Sequence, residues 1–266
     1  MDILILRFDA PLMSFGAPVV DEYGKIQPYP ALSALAGLLG NALGYDHSEP
    51  ERLATLQARL RYAARRDRCG REIQDYQSVR IRSKRSERRY TDYHMDQKHA
   101  WTTWGTVEKR KAERKIVREI RFRDYWADAA YTVALTLQPA GEGPTVSDLA
   151  NAVQHPARPL FIGRKPCLPA EPLFDRCVQA NGSGSTAVAL LGTLREPVSD
   201  EAERNWHRVW WPTGPGDAKP LGDDVLREDM RHPVTDRRDW KNQIHTGERW
   251  IAEGDLKIAI TNETDE

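Results

Sequence analysis

The chain has 266 residues, enough for one large domain or two small ones with a real hydrophobic core. Apolar residues make up 40% and charged residues 29%, and Gly and Pro stay near average usage, which excludes a low-complexity chain. Lys plus Arg and Asp plus Glu both number 39, so no global excess of charge argues for a polyanionic partner.

Cysteines stand only at 69, 167 and 177, an odd number at wide spacing. That pattern lacks a disulfide framework and a paired zinc motif, and it is read as reduced thiols in a cytoplasmic protein. Residues 3–6 are apolar and Arg7 follows, too short a run for a signal-peptide core or a membrane span. No membrane, cofactor or metal ion is expected.

Residues 2–8 form a continuous apolar, β-prone run and predict a buried strand. A turn-rich loop, Ala10-Pro11-Leu12-Met13-Ser14-Phe15-Gly16, is expected next. Residues 31–43 predict a helix, with Leu32, Leu35, Ala36, Leu39 and Leu43 at helical spacing. Gly37, Gly40 and Gly44 interrupt that pattern, and each costs about 1 kcal/mol against alanine inside a helix. Close packing or close approach of a ligand would account for them. Residues 60–66 and 73–81 predict strands around Cys69-Gly70. Residues 83–121 are polar with no steady apolar period and are expected to form an inserted arm. Residues 130–137 predict a further strand. Residues 145–153 predict a short helix with Thr145 as N-cap and Asp148 three positions on. Phe161-Ile162-Gly163-Arg164-Lys165-Pro166-Cys167 is a glycine-containing basic turn, and residues 187–194 read as another apolar strand. Beyond Glu196 the chain turns acidic, with 16 acidic and 10 basic residues in 199–266. Trp206, Trp210 and Trp211 there suit a packing cluster or a partner contact.

The neutral total hides a strong partition. Residues 61–123 hold 20 basic and 9 acidic side chains, a net +11, so the remainder carries −11. Aromatic residues are interleaved with the positive charge: Tyr76, Tyr90, Tyr93, Trp101, Trp104, Tyr125 and Trp126. Cations for phosphates and flat faces for bases are what a single-stranded nucleic acid requires, while a merely solvating loop has no need of tryptophan. The predicted order, with the arm set aside, suggests an α+β fold with a ferredoxin-like (RRM-like) βαββαβ core. This core is expected over 1–195 with a basic arm or hairpin inserted at about 83–121, followed by a small acidic C-terminal region at 196–266.

Four segments resemble the CasD-type subunits of type I-E CRISPR Cascade, within the repeat-associated RNA-binding superfamily. They are Leu6-Arg7-Phe8-Asp9-Ala10-Pro11-Leu12-Met13-Ser14-Phe15-Gly16, then Ser33-Ala34-Leu35-Ala36-Gly37-Leu38-Leu39-Gly40-Asn41-Ala42-Leu43-Gly44, then Tyr131-Thr132-Val133-Ala134-Leu135, and Arg158-Pro159-Leu160-Phe161-Ile162-Gly163-Arg164-Lys165-Pro166-Cys167 with Pro172-Leu173-Phe174. Leu32 stands where the family often has a basic residue before the helix serine. The resemblance implies a non-catalytic subunit that caps the 5′ handle of the guide CRISPR RNA and kinks it with a thumb. Its implied partners are a CasC-type backbone subunit, the large Cascade subunit and, through the assembled complex, target DNA.

The expected RNA-binding residues follow from both lines of reasoning. They are Met13, Ser14, Phe15 and Gly16 in the loop after the first strand and Ser33 in the first helical turn. In the arm they are Arg80, Arg82, Lys84, Arg85, Arg88, Arg89, Tyr93, His94, Lys98, Trp101, Trp104, Lys109 and Arg110. The last three are Gly163, Arg164 and Lys165. Phe15 suits the core as well as a base platform. The alternative is a metal-independent endoribonuclease that processes repeat RNA, with Tyr93, His94, Lys98 and His99 as acid–base groups. A general single-strand RNA-binding protein is a third reading. Asp92, His94 and Asp96 alternate as a strand face would, but lack the further ligands a metal site needs.

Overall fold

The computed structural model describes residues 1–17, 23–80, 99–101, 107–109, 118–180, 184–197 and 205–259. These residues build a mixed α/β protein around one large, mainly antiparallel sheet with few helices. Its axis is β1 (Asp2–Met13), paired on one flank with β7 (Arg118–Leu137) and on the other with β8 (Phe174–Gln179). β3 (Leu60–Arg68) covers the far side of β7. β9 (Trp206–Thr213), β13 (Arg249–Lys257) and β10 (Leu226–Val234) continue outward from β3. The order is therefore β10-β13-β9-β3-β7-β1-β8, and the C-terminal strands extend the same sheet.

β1 is apolar without alternation because both of its faces are buried. Leu4, Leu6 and Phe8 pack with α1 (Leu32–Ala42) and α3 (Val146–Gln154) through Leu35, Leu39, Leu149 and Val153. Ile3 and Ile5 pack on the opposite face with Leu190, Leu191 and Trp211. The strand runs on through Ala10-Pro11-Leu12-Met13, where the sequence suggested a loop. Its ladder with β8 ends at Leu6, so Pro11 lies beyond it, where a missing N–H costs little.

Thr145 caps α3 as expected. Its hydroxyl accepts from the Asp148 backbone N–H, and the Asp148 carboxylate accepts from the Thr145 N–H in return. Gly40 of α1 lies against Leu53 of α2 (Pro50–Arg59), so helix packing accounts for that glycine. Trp210 and Trp211 are buried in β9 but belong to the cores on opposite faces of the sheet, and Trp206 is half-buried beneath Arg227, so the three do not form one packing cluster. Trp210 Nε1 donates to Glu253 at 2.8 Å.

The strand expected at 187–194 is instead helix α4 (Thr186–Thr193). Ala and Leu favour helix, and the Ser185 hydroxyl accepts from the Val188 N–H to start it. The strand that follows α3 is β8, whose sequence Phe-Asp-Arg-Cys-Val-Gln alternates buried and exposed positions too weakly to stand out.

β3 and β4 (Arg71–Arg80) form one ribbon along the 20-residue β7. Leu60 pairs with Leu137 at one end and Arg80 with Arg118 at the other. The ribbon breaks at Cys69-Gly70, opposite Asp128. Both Gly70 and Asp128 adopt positive φ, and a Cβ on Gly70 would sit 2.5 Å from the Ala127 carbonyl oxygen. Arg68 bridges the break by donating to the Asp128 carbonyl. Farther along the chain, β5 (His99–Trp101) pairs antiparallel with β6 (Val107–Lys109). β2 (Tyr23–Gly24) runs parallel to β7 at Phe122 and Arg123. No helix among the described residues is long and apolar enough to cross a membrane.

One buried ion pair ties the C-terminal strands to the core. Asp236, 1% exposed, accepts from the Leu32 backbone N–H and from Arg249 of β13. Its own carbonyl accepts from the Ser33 N–H. Arg249 also donates to the Tyr62 hydroxyl, which donates to the Pro30 carbonyl. Asp236→Asn strands the Arg249 charge in the interior and weakens the cap of α1. The expected cost is about 3–5 kcal/mol, read from the urea unfolding midpoint at constant slope.

Candidate nucleic-acid interface

The end of β1, the N-terminus of α1 and the 161–167 turn meet around one open groove of about 630 Å3. The turn closes on itself. The Ile162 N–H donates to Cys167 O and the Cys167 N–H to Arg164 O, each at 2.8 Å. Burial pushes the Cys167 thiol up, so it serves as a small protonated core group. The turn is stapled to β1 by the Ser14 N–H, which donates to Ile162 O at 3.1 Å. Gly163 has φ +101°, and a Cβ there would lie 1.9 Å from Ser14 O. No other residue allows the turn to lie directly on the backbone leaving β1.

Six residues expected to bind RNA line this groove: Ser14, Gly16, Ser33, Gly163, Arg164 and Lys165. Their side chains are not equivalent. Lys165 is exposed. Arg164 is a strut, donating to Asp124 O at 2.8 Å and Gly24 O at 2.9 Å, with its guanidinium 4.9 Å from the centre of the Tyr125 ring. The Ser14 hydroxyl is buried and has no hydrogen-bond partner among the described residues. Met13 and Phe15 belong to the core, at 0% and 1% exposure, with Phe15 edge-on to Tyr131. Those two side chains present no face to a ligand, because continuing β1 through Met13 carries them under the sheet.

Helix N-terminal amides are a natural phosphate site. Those of Leu32 and Ser33 already donate to Asp236, so they are not available. Of Ser33, the hydroxyl is what remains to the groove. Of the arm, Arg80 ends β4, Trp101 ends β5 and Lys109 ends β6. Arg82, Lys84, Arg85, Arg88, Arg89, Tyr93, His94, Lys98, Trp104 and Arg110 lie outside the described residues, as do Asp92 and Asp96.

Several groove residues escaped the sequence reading. Arg158 donates to Tyr45 O and pairs with Asp46 at 3.5 Å. Asn41 donates to Pro159 O at 2.8 Å. Arg238 and Trp240 arrive from the C-terminal region, with the Arg238 guanidinium 5.5 Å from the Trp240 ring centre. Burial lowers the affinity of Arg238 for its proton, the mark of a cation held in a partly dry site. The groove lining thus holds Arg158, Arg164, Lys165 and Arg238 against one carboxylate, Asp46.

Asp124 links this groove to the root of the β4–β7 ribbon. Its carboxylate accepts from Gln74 at 2.8 Å and pairs with Lys25 at 2.9 Å, while its carbonyl accepts from Arg164. Burial alone would raise its pKa. Hydrogen bonds from Gln74 and Lys25, with the charges of Lys25 and Arg164, outweigh it and hold the carboxyl below its ordinary value. Beside it, Tyr23 stacks on Phe122 at 5.1 Å, and Tyr76 meets Phe122 edge-on at 5.6 Å. Tyr23 and Tyr76 remain 43% and 54% exposed, an aromatic surface next to cations.

Fold and groove together define an α/β protein with a basic, partly aromatic cleft at the end of its central strand. Over residues 3–252 the chain matches the family described as CRISPR-associated protein (Cas_Cas5), and it belongs to that family. It is 30% identical over 178 residues to the CRISPR system Cascade subunit CasD of Escherichia coli (strain K12), a stretch covering 67% of this chain and 72% of that one. Two solved structures share the fold. One, described as a CRISPR RNA-guided surveillance complex, has a TM-score of 0.58 at 18% identity and covers 96% of this chain and 90% of its own. The other, described as a Cas protein, has a TM-score of 0.55 at 21% identity and covers 96% and 95%.

Two outcomes follow from this geometry. Gly163→Ala forces the turn away from Ser14 and costs about 1–3 kcal/mol, measured by thermal or urea unfolding. Because the Asp124 carboxyl is held low, its contribution to stability is present above the ordinary carboxylate range and lost as the pH falls through it. The stability gap between wild type and Asp124→Asn therefore narrows below about pH 4, measured by urea unfolding at stepped pH.

Proposed function

We propose that this chain is a non-catalytic RNA-binding and assembly subunit of a type I-E-like Cascade, and that it caps the 5′ handle of the guide CRISPR RNA. The observation that carries the reading is the convergence of three distant segments on one basic groove: Ser14 and Gly16, Ser33, and Gly163-Arg164-Lys165. Within it, Lys165 and Arg158 supply charge for phosphates. The Ser33 hydroxyl supplies a hydrogen bond, and Gly163 keeps the turn packed on the backbone leaving β1. Arg164 acts as a positioning residue.

The strand order β3-β7-β1-β8, with α1 and α3 as crossovers, supports a ferredoxin-like βαββαβ core. We read 1–195 as the RNA-binding domain, about 83–121 as its inserted thumb, and 196–266 as a small acidic C-terminal region. The β3–β4/β7 ribbon leads into the arm with its positive charge, and the antiparallel β5–β6 pair is consistent with a hairpin. On this reading the arm residues grip the guide backbone and a tryptophan of the arm displaces a base. The exposed Tyr23 and Tyr76 offer stacking worth about 1–3 kcal/mol per base. The partners are a CasC-type backbone subunit, the large Cascade subunit and, through the complex, target DNA. Family membership and the likeness to a Cascade subunit support this assignment.

The test is to incubate the purified chain with end-labelled CRISPR-repeat RNA from its own locus in EDTA, following binding and cleavage together. Binding with the RNA intact is expected. If about five phosphates are neutralised, log K falls against log salt with a slope near −3.5, at about −0.7 per contact. A discrete cut abolished by His94→Ala or His99→Ala would overturn the non-catalytic reading in favour of repeat processing. A slope near zero would overturn the electrostatic one.

A further inference from the structure

On the other side of the α1 N-terminus lies a second, smaller cavity of about 200 Å3. Arg61, Arg237 and Arg249 line it together with Leu32, Leu60 and Trp250, and no carboxylate is among its lining residues. The three guanidiniums have different standing. Arg249 is already committed to Asp236 and Tyr62. Arg61 is anchored by donating to two carbonyls at the end of α2, Ala58 O at 2.8 Å and Leu60 O at 2.9 Å. Nothing anionic in the cavity lining faces it. Burial, then the like charges of Arg237 and Arg249, lower its affinity for its proton. Like charges gathered on apolar walls repel more strongly than in open water, and an anion entering between them relieves that repulsion.

The cavity is also continuous in chain with the groove. Arg237 lines the cavity and Arg238 lines the groove, while Leu32 lines the cavity and Ser33 the groove. Cavity and groove therefore both border the first turn of α1. The volume suits a single tetrahedral anion, and the planar forks of Arg suit its oxygens.

We propose that Arg61 and Arg237 form a phosphate-binding site separate from the groove. On the RNA-binding reading above, on which this ligand assignment rests, the site takes one phosphodiester of the strand that the groove holds. Its chemistry is sequence-independent, so it adds affinity and register without reading bases.

The experiment uses the full chain, a single-stranded 12-nucleotide RNA and, separately, inorganic phosphate. Arg61→Gln/Arg237→Gln is compared with Arg61→Lys/Arg237→Lys, which keeps both charges. The glutamine variant is expected to bind RNA roughly tenfold more weakly, with a salt slope shallower by about 0.7, and the lysine variant to recover the slope. Inorganic phosphate is expected to raise the Tm of wild type and not of the glutamine variant. Wild-type RNA binding with an unchanged slope in the glutamine variant would sink the proposal and leave the groove reading standing. Phosphate stabilisation lost on Arg→Gln, in a wild type that does not bind RNA, would sustain the site while the RNA reading falls. Phosphate that shifts both proteins equally, or neither, would overturn the site.

Discussion

Strand β7 has to satisfy two sets of neighbours with one backbone. From Leu137 to Ala129 it is a central strand, paired with β3 and β1 and buried on both faces. From Ala127 to Arg118 it becomes one side of a ribbon with β4, touched by β2 on its other edge. The change of partner falls at Asp128 and Gly70, and the two positive-φ residues absorb the twist it demands. The described start and end of the charged segment, 71–80 and 118–123, are carried on the outward extension of the sheet's own strands.

Among the described residues of this segment, Arg71, Arg121 and Arg123 stand where β4 and β7 leave the core. Several buried carboxylates are spent on structure. Asp236 holds the α1 N-terminus, Asp124 gathers β2, β4 and the 161–167 turn, and within the basic segment itself Asp67 lies buried against Arg65. Each carboxylate restrains a cation or an amide, so the unbalanced cations are left at the surface and in the two cavities.

Asp236 also couples the C-terminal strands to the groove. A buried carboxylate needs its oxygens paired, and here Arg249 and the Leu32 N–H supply the donors. The same contact places Arg237 and Arg238 on either side of the α1 N-terminus. The acidic C-terminal region thus completes the basic site, since its strands extend the sheet that carries β1.

Much of the fold was legible in the residues. The apolar run of β1 followed from burial on both faces. The period of α1, the Thr145–Asp148 box and the strands flanking Cys69-Gly70 followed from local backbone chemistry. Local signals misled where they were weak or shared: residues 187–194 are as apolar as a strand but are Ala- and Leu-rich enough to be a helix. β8 is a polar edge strand, and the outer half of β7 alternates charge with Ile120 and Phe122. The basic turn and the β1-end segment stood out as candidate site segments through their resemblance to family motifs, since a Gly-Arg-Lys turn by itself is common. Their meeting around one groove did not, since it depends on β1 and the 161–167 turn lying backbone to backbone. Nor could the sequence separate Arg164, a strut, from Lys165, an exposed cation, or show Phe15 turned into the core. Arg61, Arg237 and Arg249 are as much as 188 residues apart. Composition and local pattern depend on neighbours in the chain, whereas a shared electrostatic field depends on distance through space, and only the folded sheet sets that.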